Sequence, residues 1–322
     1  MTETVRTALA SHATEFEVVG RLHAVPPYEV HEVVVDGRRA VCKVNDHSRA
    51  GAATEGCVQA YAARTTPTPV PEVLAVGPDH YLAAWCDDAP PQGDEVTATK
   101  ARTMGAAMAR FHGATAFDAP GLLTVDDGAM AVDARPDWPA AVDAFLADLE
   151  DYVAAQGHGE AVRRVRAFVA DHPEAFAGAG DPVLCHGNWL PEHVGVDPER
   201  TTPAPHRDGP VTGAAACVID FEHALVAPPE YDVWRTLLPL SGSDGAAEAF
   251  REGYEAVRPL AAGFERRKPC YRLVNAVQYL ESLSLQDQHD PAETERLAAR
   301  LLEAIDDLLA ELRGRTQSRS GP

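Results

Sequence analysis

Residues 184–196 read LCHGNWLPEHVGV, and residues 213–226 read GAAACVIDFEHALV. Each stretch contains a short apolar run beside a polar segment, which carries His186 and Asn188 in the first stretch and Asp220 in the second. The residues that connect the two, 197–212, are rich in Pro, Gly and Asp, as is typical of a loop. The pattern predicts two short strands, each of which delivers polar side chains to a neighbouring loop.

The N-terminal part of the chain predicts an antiparallel sheet. Residues 16–44 are rich in Val and aromatic residues, and Asp36-Gly37 lies between two apolar runs. This dipeptide is a strong hairpin signal, because both residues tolerate positive φ. A helix with Ser48 as its cap is expected up to residue 65, and HYLAAWC at 80–86 predicts another strand.

Helical patterns dominate from residue 96 onwards. The periodicity predicts helices over 97–115, 138–156, 159–176, 246–257, 270–285 and 290–313. We therefore expect an α+β chain with a β-rich lobe at 1–86, a hinge at 87–95, a helical lobe at 96–312 and a disordered tail at 313–322.

Composition limits the possible partners. The chain has 322 residues and a net charge of -21, with 49 acidic and 28 basic residues. This charge argues against nucleic-acid binding and indicates a salt-adapted surface. No apolar run is long enough for a membrane span, and the N-terminus does not resemble a signal peptide, so a cytoplasmic protein is expected. We also expect a monomer or a homodimer.

The six cysteines are isolated and mostly have apolar neighbours, which predicts buried free thiols. A zinc site formed by Cys185, His186 and His193 is an alternative, but their spacing matches no common ligand pattern.

These motifs resemble those of the aminoglycoside phosphotransferase and choline kinase branch of the protein-kinase-like superfamily. The resemblance covers roughly residues 16–280 and is strongest from 184 to 235. It implies a two-lobe fold with a small antiparallel β lobe and a larger, mainly helical lobe. It also implies the use of ATP and Mg²⁺ to phosphorylate a hydroxyl of a small molecule.

By this resemblance, Lys43 in AVCKV corresponds to the phosphate-binding lysine and Glu55 in ATEGCV to its helical partner. Asp220 corresponds to the principal metal-binding aspartate, and Asp232 in PPEYDVW to a structural aspartate that steadies the catalytic loop. Alternatively, Lys43 could face solvent and Asp220 could be an ordinary residue at the end of a strand.

The segment Ala84, Trp85 and Cys86 corresponds to the hinge backbone that would bind adenine, although an ordinary strand end has the same sequence character. Residues 20–30, GRLHAVPPYEV, correspond to the loop that kinases place over the phosphates. They contain only Gly20 where kinases have several glycines.

The catalytic loop departs from the family pattern. His186 and Gly187 match it, but Asn188 occupies the position of the catalytic aspartate and His193 that of the metal-binding asparagine. An amide cannot take up a proton from a hydroxyl, so base catalysis of the family's kind is in question.

Three nearby residues could replace the missing base. His193 is either a metal ligand or a displaced base, and imidazole suits Mg²⁺ less well than oxygen ligands do. Glu192 and Glu222 are the other two candidates, and each of the three could equally be a simple polar residue.

Three hypotheses about function follow. The first is a phosphotransferase that works with reduced activity, since the loose transition state of phosphoryl transfer depends mainly on positioning and electrostatics. The second is a catalytically silent, kinase-like protein that binds nucleotide or a regulatory partner. A chance match of the motifs within an unrelated α/β domain is a third reading. The acids of QYLESLSLQDQHD, at 278–290, could meet a cationic acceptor or simply belong to the acidic surface.

Overall fold

The structure, a computed structural model, describes residues 3–90, 93, 96–206, 209–243 and 245–317. A strand-rich N-terminal lobe is followed by a larger and mainly helical lobe, so the predicted α+β two-lobe architecture is confirmed. Four residues of the expected hinge, 91, 92, 94 and 95, lie outside the described residues, as does the end of the expected tail, 318–322.

The N-terminal lobe is built on a five-stranded antiparallel sheet with the order β1-β2-β3-β5-β4. Its strands are β1 (Phe16–Val25), β2 (Tyr28–Val35), β3 (Arg38–Asn45), β4 (Val73–Val76) and β5 (His80–Ala84). Asp36 and Gly37 connect β2 to β3 with φ of 48° and 78°. The predicted hairpin is therefore confirmed, with positive φ at both turn positions.

The two faces of this sheet pack against different parts of the protein. Ala40, Cys42 and Val44 of β3 are buried in an apolar cluster that includes Val5 and Leu9 of helix α1 (Glu3–Ala10). Because side chains alternate along a strand, Lys43 faces the other side, towards helix α2 (Ala52–Thr65). The alternation thus leaves a charged side chain on the face that lines the cleft between the lobes.

The C-terminal lobe contains seven helices among the described residues. They are α3 (Ala98–Gly113), α4 (Trp138–Ala155), α5 (Gly159–Asp171), α6 (Glu230–Leu240), α7 (Ala246–Glu255), α8 (Phe264–Leu285) and α9 (Pro291–Gln317). They enclose one large apolar core, in which the ring of Phe111 lies 5.6 Å from that of Trp189 and 6.2 Å from that of Phe221, measured between ring centres. Within the part of the chain that the structure describes, every helix is too short or too polar to cross a bilayer.

Two small sheets position the loops of this lobe. The strands are β6 (Gly121–Asp126), β7 (Ala129–Ala134), β8 (Val183–Cys185), β9 (Val194–Thr202), β10 (Val211–Val218) and β11 (Leu225–Ala227). A four-stranded sheet has the order β7-β6-β11-β8, and β9 pairs with β10. The two strands predicted around the polar loops are therefore present, as β8 and β10.

Several sequence-based boundaries are corrected by the structure. Helix α2 is preceded by Gly51 and not by Ser48, and α8 starts at Phe264 instead of 270. The helix predicted over 159–176 ends at Asp171, because Pro173 starts a separate 3₁₀ turn. The last helix continues to Gln317, so the expected tail from 313 begins too early.

One arginine connects the lobes. Arg49, which follows β3, donates hydrogen bonds to the Glu281 carboxylate on α8 at 2.9 Å and to the Asp148 carboxylate on α4 at 2.8 Å. It also donates to the Asp148 carbonyl oxygen at 2.8 Å. A residue of the N-terminal lobe is thereby held against two helices of the other lobe.

Candidate active site

The cleft between the lobes is centred on Lys43. Its ammonium lies 2.7 Å from Glu55, 2.9 Å from Asp220 and 3.2 Å from Glu222, and the lysine is only 5% exposed. A buried ammonium needs such partners, because an unpaired charge is costly to remove from water. The position of Lys43 excludes the alternative of a solvent-facing lysine.

The carboxylates outnumber the ammonium by three to one, and this imbalance shapes their ionisation. Burial raises the pKa of Glu55 to about 7, although Lys43 opposes the shift. Burial would also raise the pKa of Asp220, but Lys43 and His193 hold it well below its usual value. Burial alone would lower the pKa of Lys43, and the surrounding carboxylates instead raise it well above its usual value.

The same three carboxylates form a group suited to a hard cation. One oxygen from each of Glu55, Asp220 and Glu222 can lie within 4.8 Å of the others. Mg²⁺ prefers oxygen ligands, and the excess negative charge here would favour a divalent cation. The donor set therefore fits Mg²⁺, with Asp220 and Glu222 on one loop as the natural holders.

The loop after β8 is steadied by Asp232, which is buried on α6. Its carboxylate accepts hydrogen bonds from the backbone N–H groups of His186 and Gly187, each at 2.7 Å, and contacts His112 Nε2 at 3.0 Å. Burial would raise the pKa of Asp232, but His112, His186 and these N–H groups hold it below its usual value. The ionised carboxylate thus determines the path of the loop.

Gly187 brings this loop against the loop that follows Asp220. It has a φ of 75°, and a Cβ at this position would lie 1.9 Å from the carbonyl oxygen of His223. Only glycine permits both the conformation and the close approach. Asp220 itself has a φ of 71°, an uncommon conformation that directs its carboxylate between the two loops.

Asn188 lies beside the charged cluster, and its Nδ2 donates a hydrogen bond to Asp220 Oδ2 at 2.9 Å. His193 Nδ1 donates to the Asn188 carbonyl oxygen at 2.9 Å, so that its Nε2 faces Asp220 Oδ2 at 3.4 Å. The two departures from the family pattern therefore converge on the same carboxylate oxygen.

His186 is completely buried behind this arrangement. Its Nε2 donates to the Ile219 carbonyl oxygen at 3.0 Å, which leaves Nδ1 to accept from the Asn188 backbone N–H at 3.2 Å. Burial lowers the pKa of His186 to about 4, so the ring is neutral at pH 7. It supports the loop but does not reach the cleft.

Trp85 and Cys86 line the same cleft, which has a volume of about 840 Å³. The Trp85 backbone N–H donates a hydrogen bond to the carbonyl oxygen of Arg39. The guanidinium of Arg39 also lies 3.6 Å from the centre of the Trp85 indole ring. Cys86 forms a disulfide with Cys217 of β10, so the expectation of free thiols is wrong for this pair, while the other four cysteines are free and buried.

The alternative zinc site is not formed. Cys185 is grouped with His112 and Asp232 in the interior, whereas His193 lies on the cleft side. Glu192 is exposed, and Glu222 contacts both Lys43 and His223. Sequence reasoning did not place Glu222 on Lys43, although its position two residues after Asp220 was a usable signal.

Comparison with solved structures shows the same fold in phosphotransferases. A protein from Thermobifida fusca YX-ER1 that has been assigned as a fructosamine-3-kinase is 19% identical, with a TM-score of 0.62 over 95% of this chain and 99% of that one. Aminoglycoside phosphotransferase APH(4)-Ia is 17% identical, with a TM-score of 0.59 over 95% and 98%. A thermostable mutant of APH(4)-Ia, in a ternary complex with ADP and hygromycin B, is 14% identical, with a TM-score of 0.54 over 100% of both chains.

These likenesses confirm the protein-kinase-like fold. No curated protein matches the chain. The sequence does match a protein family, described as the phosphotransferase enzyme family, over residues 29–270. This match covers most of the chain and includes Lys43, Glu55, Asn188 and Asp220. The chain therefore belongs to the phosphotransferase enzyme family.

Proposed function

We propose that this protein transfers the γ-phosphoryl group of ATP, bound with Mg²⁺, to a hydroxyl of a small molecule. The observation that carries the proposal is the buried Lys43 surrounded by Glu55, Asp220 and Glu222 in the cleft between the lobes. Such a cluster is costly to maintain unless a ligand uses it. A polyphosphate with a divalent cation would complement it in both charge signs.

In the proposed complex, Lys43 binds the phosphates and Glu55 orients it, while Asp220 and Glu222 hold Mg²⁺. The metal would neutralise charge that develops on the transferred group. Binding must first separate Lys43 from Asp220, which are 2.9 Å apart. The phosphates would then replace Asp220 as the partner of Lys43, and the metal would replace Lys43 as the partner of Asp220. The rearrangement would therefore leave no unpaired charge.

The hinge would receive the adenine. Trp85 and Cys86 lie in the same cleft as Lys43, and the disulfide to Cys217 holds this segment against the C-terminal lobe. The Trp85 N–H is already engaged by Arg39, so other backbone groups of the segment would contact the base.

Asn188 would orient the acceptor hydroxyl without removing its proton. Its Nδ2 is engaged by Asp220, which leaves the amide oxygen able to accept a hydrogen bond from the hydroxyl. In the transfer, the bond between the γ-phosphorus and the ADP oxygen breaks, a bond to the acceptor oxygen forms, and the hydroxyl proton leaves. His193 is the proposed proton acceptor, because its Nδ1 donates to Asn188 and its Nε2 faces the cleft.

A silent nucleotide-binding protein is the second candidate, and the observation that favours it is the amide at position 188. The two candidates differ in whether phosphate is transferred, not in whether nucleotide is bound. Binding of ATP should be measured by calorimetry with and without Mg²⁺ in high salt. Phosphate transfer should then be screened across sugars, amino-sugars and amino-alcohols.

The variant Asp220→Asn provides a sharp test, and Asp306→Asn is its control, because it removes an exposed carboxylate of α9 that lies outside the cleft. Mg²⁺-dependent ATP binding should be lost in the first variant and kept in the second. ATP binding that does not depend on Mg²⁺, or that survives Asp220→Asn, would contradict the proposed site.

A further inference from the structure

Two arginines are buried among the described residues, and their surroundings differ sharply. Arg267 is 1% exposed, and both its Nε and its Nη2 donate to the carboxylate of Glu230. Arg235 on α6 is 4% exposed, and no carboxylate of the described residues lies within ion-pair distance of it. One buried guanidinium is neutralised, and the other is not.

The contacts of Arg235 are all with uncharged groups. Nη1 donates to Gln278 Oε1, the guanidinium lies 5.7 Å from the centre of the Tyr279 ring, and Nε is buried without a hydrogen-bond partner. Nη2 donates to no described residue. A buried guanidinium in this state lacks the oxyanion that normally accompanies it, because its two parallel N–H groups match a carboxylate or a phosphate.

Arg235 also belongs to the cleft that contains Lys43. Lys43 contacts Glu222 at 3.2 Å, Glu222 contacts His223 at 3.2 Å, and His223 contacts Gln278 at 3.2 Å, with Gln278 in turn bound to Arg235. These contacts link Lys43 to Arg235 through Glu222, His223 and Gln278. Ser282 of α8 and Gln286, which follows the end of α8, line the same cleft as Arg235.

The acids that sequence reasoning considered for a cationic acceptor do not occupy this region. Glu281 is engaged by Arg49, and Asp287 and Asp290 are not among the residues that line the cleft. Of the described residues of α6 and α8 that line the cleft, only Arg235 is charged.

We propose that Arg235 binds an oxyanion, either a carboxylate or a phosphate, on the hydroxylated molecule that accepts the phosphoryl group. This inference rests on the function proposed above, but it concerns binding and can be tested separately. It places the substrate among sugar acids, hydroxy acids or phosphorylated sugars and alcohols, and not among polycationic amino-sugars. Ser282 and Gln286 would contact its uncharged part.

Four pyranoses that differ in one substituent test the proposal. Glucuronate carries a carboxylate, glucose 6-phosphate a phosphate, glucose neither and glucosamine an ammonium group. Their binding to the full-length protein should be measured by saturation-transfer NMR and calorimetry without nucleotide, at one fixed salt concentration. We expect one or both anionic sugars to bind, and to bind more tightly than glucose and glucosamine.

Arg235→Gln should weaken binding of the anionic sugar by about 10- to 100-fold and leave the affinity for Mg·ATP unchanged. Arg235→Lys should have an intermediate effect, because it keeps the charge and loses the paired N–H groups. If Arg235→Gln does not fold, the comparison with the wild-type protein is made with Arg235→Lys. Arg272→Gln, which removes an exposed guanidinium on α8, is the matched control and should bind like the wild-type protein.

Three results would overturn the proposal. They are a lack of binding by both anionic sugars, tighter binding of glucosamine, and a loss of Mg·ATP affinity in Arg235→Gln without a change for the sugars. Binding that depends on Arg235 but is followed by no phosphate transfer would support the oxyanion site and count against the proposed enzyme. Phosphate transfer to glucose or glucosamine that is unchanged in Arg235→Gln would support the proposed enzyme and count against the oxyanion site.

Discussion

Replacing Asn188 by aspartate tests the central anomaly of the site. The Asn188 amide nitrogen lies 2.9 Å from Asp220 Oδ2, so Asn188→Asp places two carboxylates almost in contact. Two full charges at this distance repel by about 6 kcal/mol at an effective dielectric constant of ~20, which is an upper bound because the pair can share a proton or move apart. We therefore expect the variant without metal to be less stable than the wild type at pH 8, and its stability to recover on addition of Mg²⁺.

The same substitution should change the chemistry. A carboxylate at position 188 can accept the hydroxyl proton, and general-base assistance typically contributes ~10²- to 10⁴-fold in rate. Turnover should rise by up to this factor if proton removal limits the wild type, while Asn188→Ala should lower turnover, because it removes the amide oxygen that is proposed to orient the hydroxyl. Adding His193→Asn, which supplies an oxygen ligand for Mg²⁺, should increase the effect further.

The assay combines thermal unfolding across a Mg²⁺ titration with coupled measurement of ADP release. A melting temperature that responds to Mg²⁺ as the wild type does would refute the placement of position 188 beside the metal. A double variant that binds Mg·ATP but transfers no phosphate to any hydroxyl, and hydrolyses no ATP, would refute the enzyme hypothesis.

Four further predictions follow from the charges and hydrogen bonds of the site and the surface. Calorimetry should show that Lys43→Ala abolishes Mg·ATP binding, whereas Lys268→Ala, which removes a lysine outside the cleft, should bind normally. Because folding raises the pKa of Glu55 to about 7, the folded state binds this proton first, and the free energy of unfolding should increase as the pH falls from 7 towards 5; urea titrations should show a smaller increase for Glu55→Gln. Asp232→Ala should lower the free energy of unfolding in urea by about 2–5 kcal/mol, because two buried backbone N–H groups and His112 lose their acceptor. The melting temperature should rise between ~0.1 M and ~1 M KCl, since the net charge of -21 is screened as the Debye length falls from ~10 to ~3 Å, and an unchanged value would contradict salt adaptation.

Local chemistry explains what the sequence predicted well. The Asp36-Gly37 turn follows from the backbone freedom of two adjacent residues, and α9 from its long apolar stripe. Lys43, Glu55 and Asp220 were identified from family motifs, and the structure places both carboxylates within 3 Å of the Lys43 ammonium. Such features depend on a few neighbouring residues or on a recognisable pattern.

The features that were missed depend on contacts between distant parts of the chain. Glu222 meets Lys43 across 179 residues, and the Cys86–Cys217 pair spans 131 residues. The hairpin β6–β7 and helix α1 carry weak patterns of their own, and packing against larger elements stabilises them. Arg235 has no recognisable sequence signal, because its distinctive property, the lack of a partner carboxylate among the described residues, exists only in the folded state.

The contact of Arg49 with Glu281 and Asp148 has a kinetic consequence. Any motion that widens the cleft to admit or release ligands must break these hydrogen bonds or carry both helices along. Asp148 is 59% exposed, so dissolved ions weaken its part of the contact, whereas Glu281 is shielded at 7%. The rate at which a bound ligand leaves the cleft should therefore depend on ionic strength, through an exposed contact that lies outside the charged cluster itself.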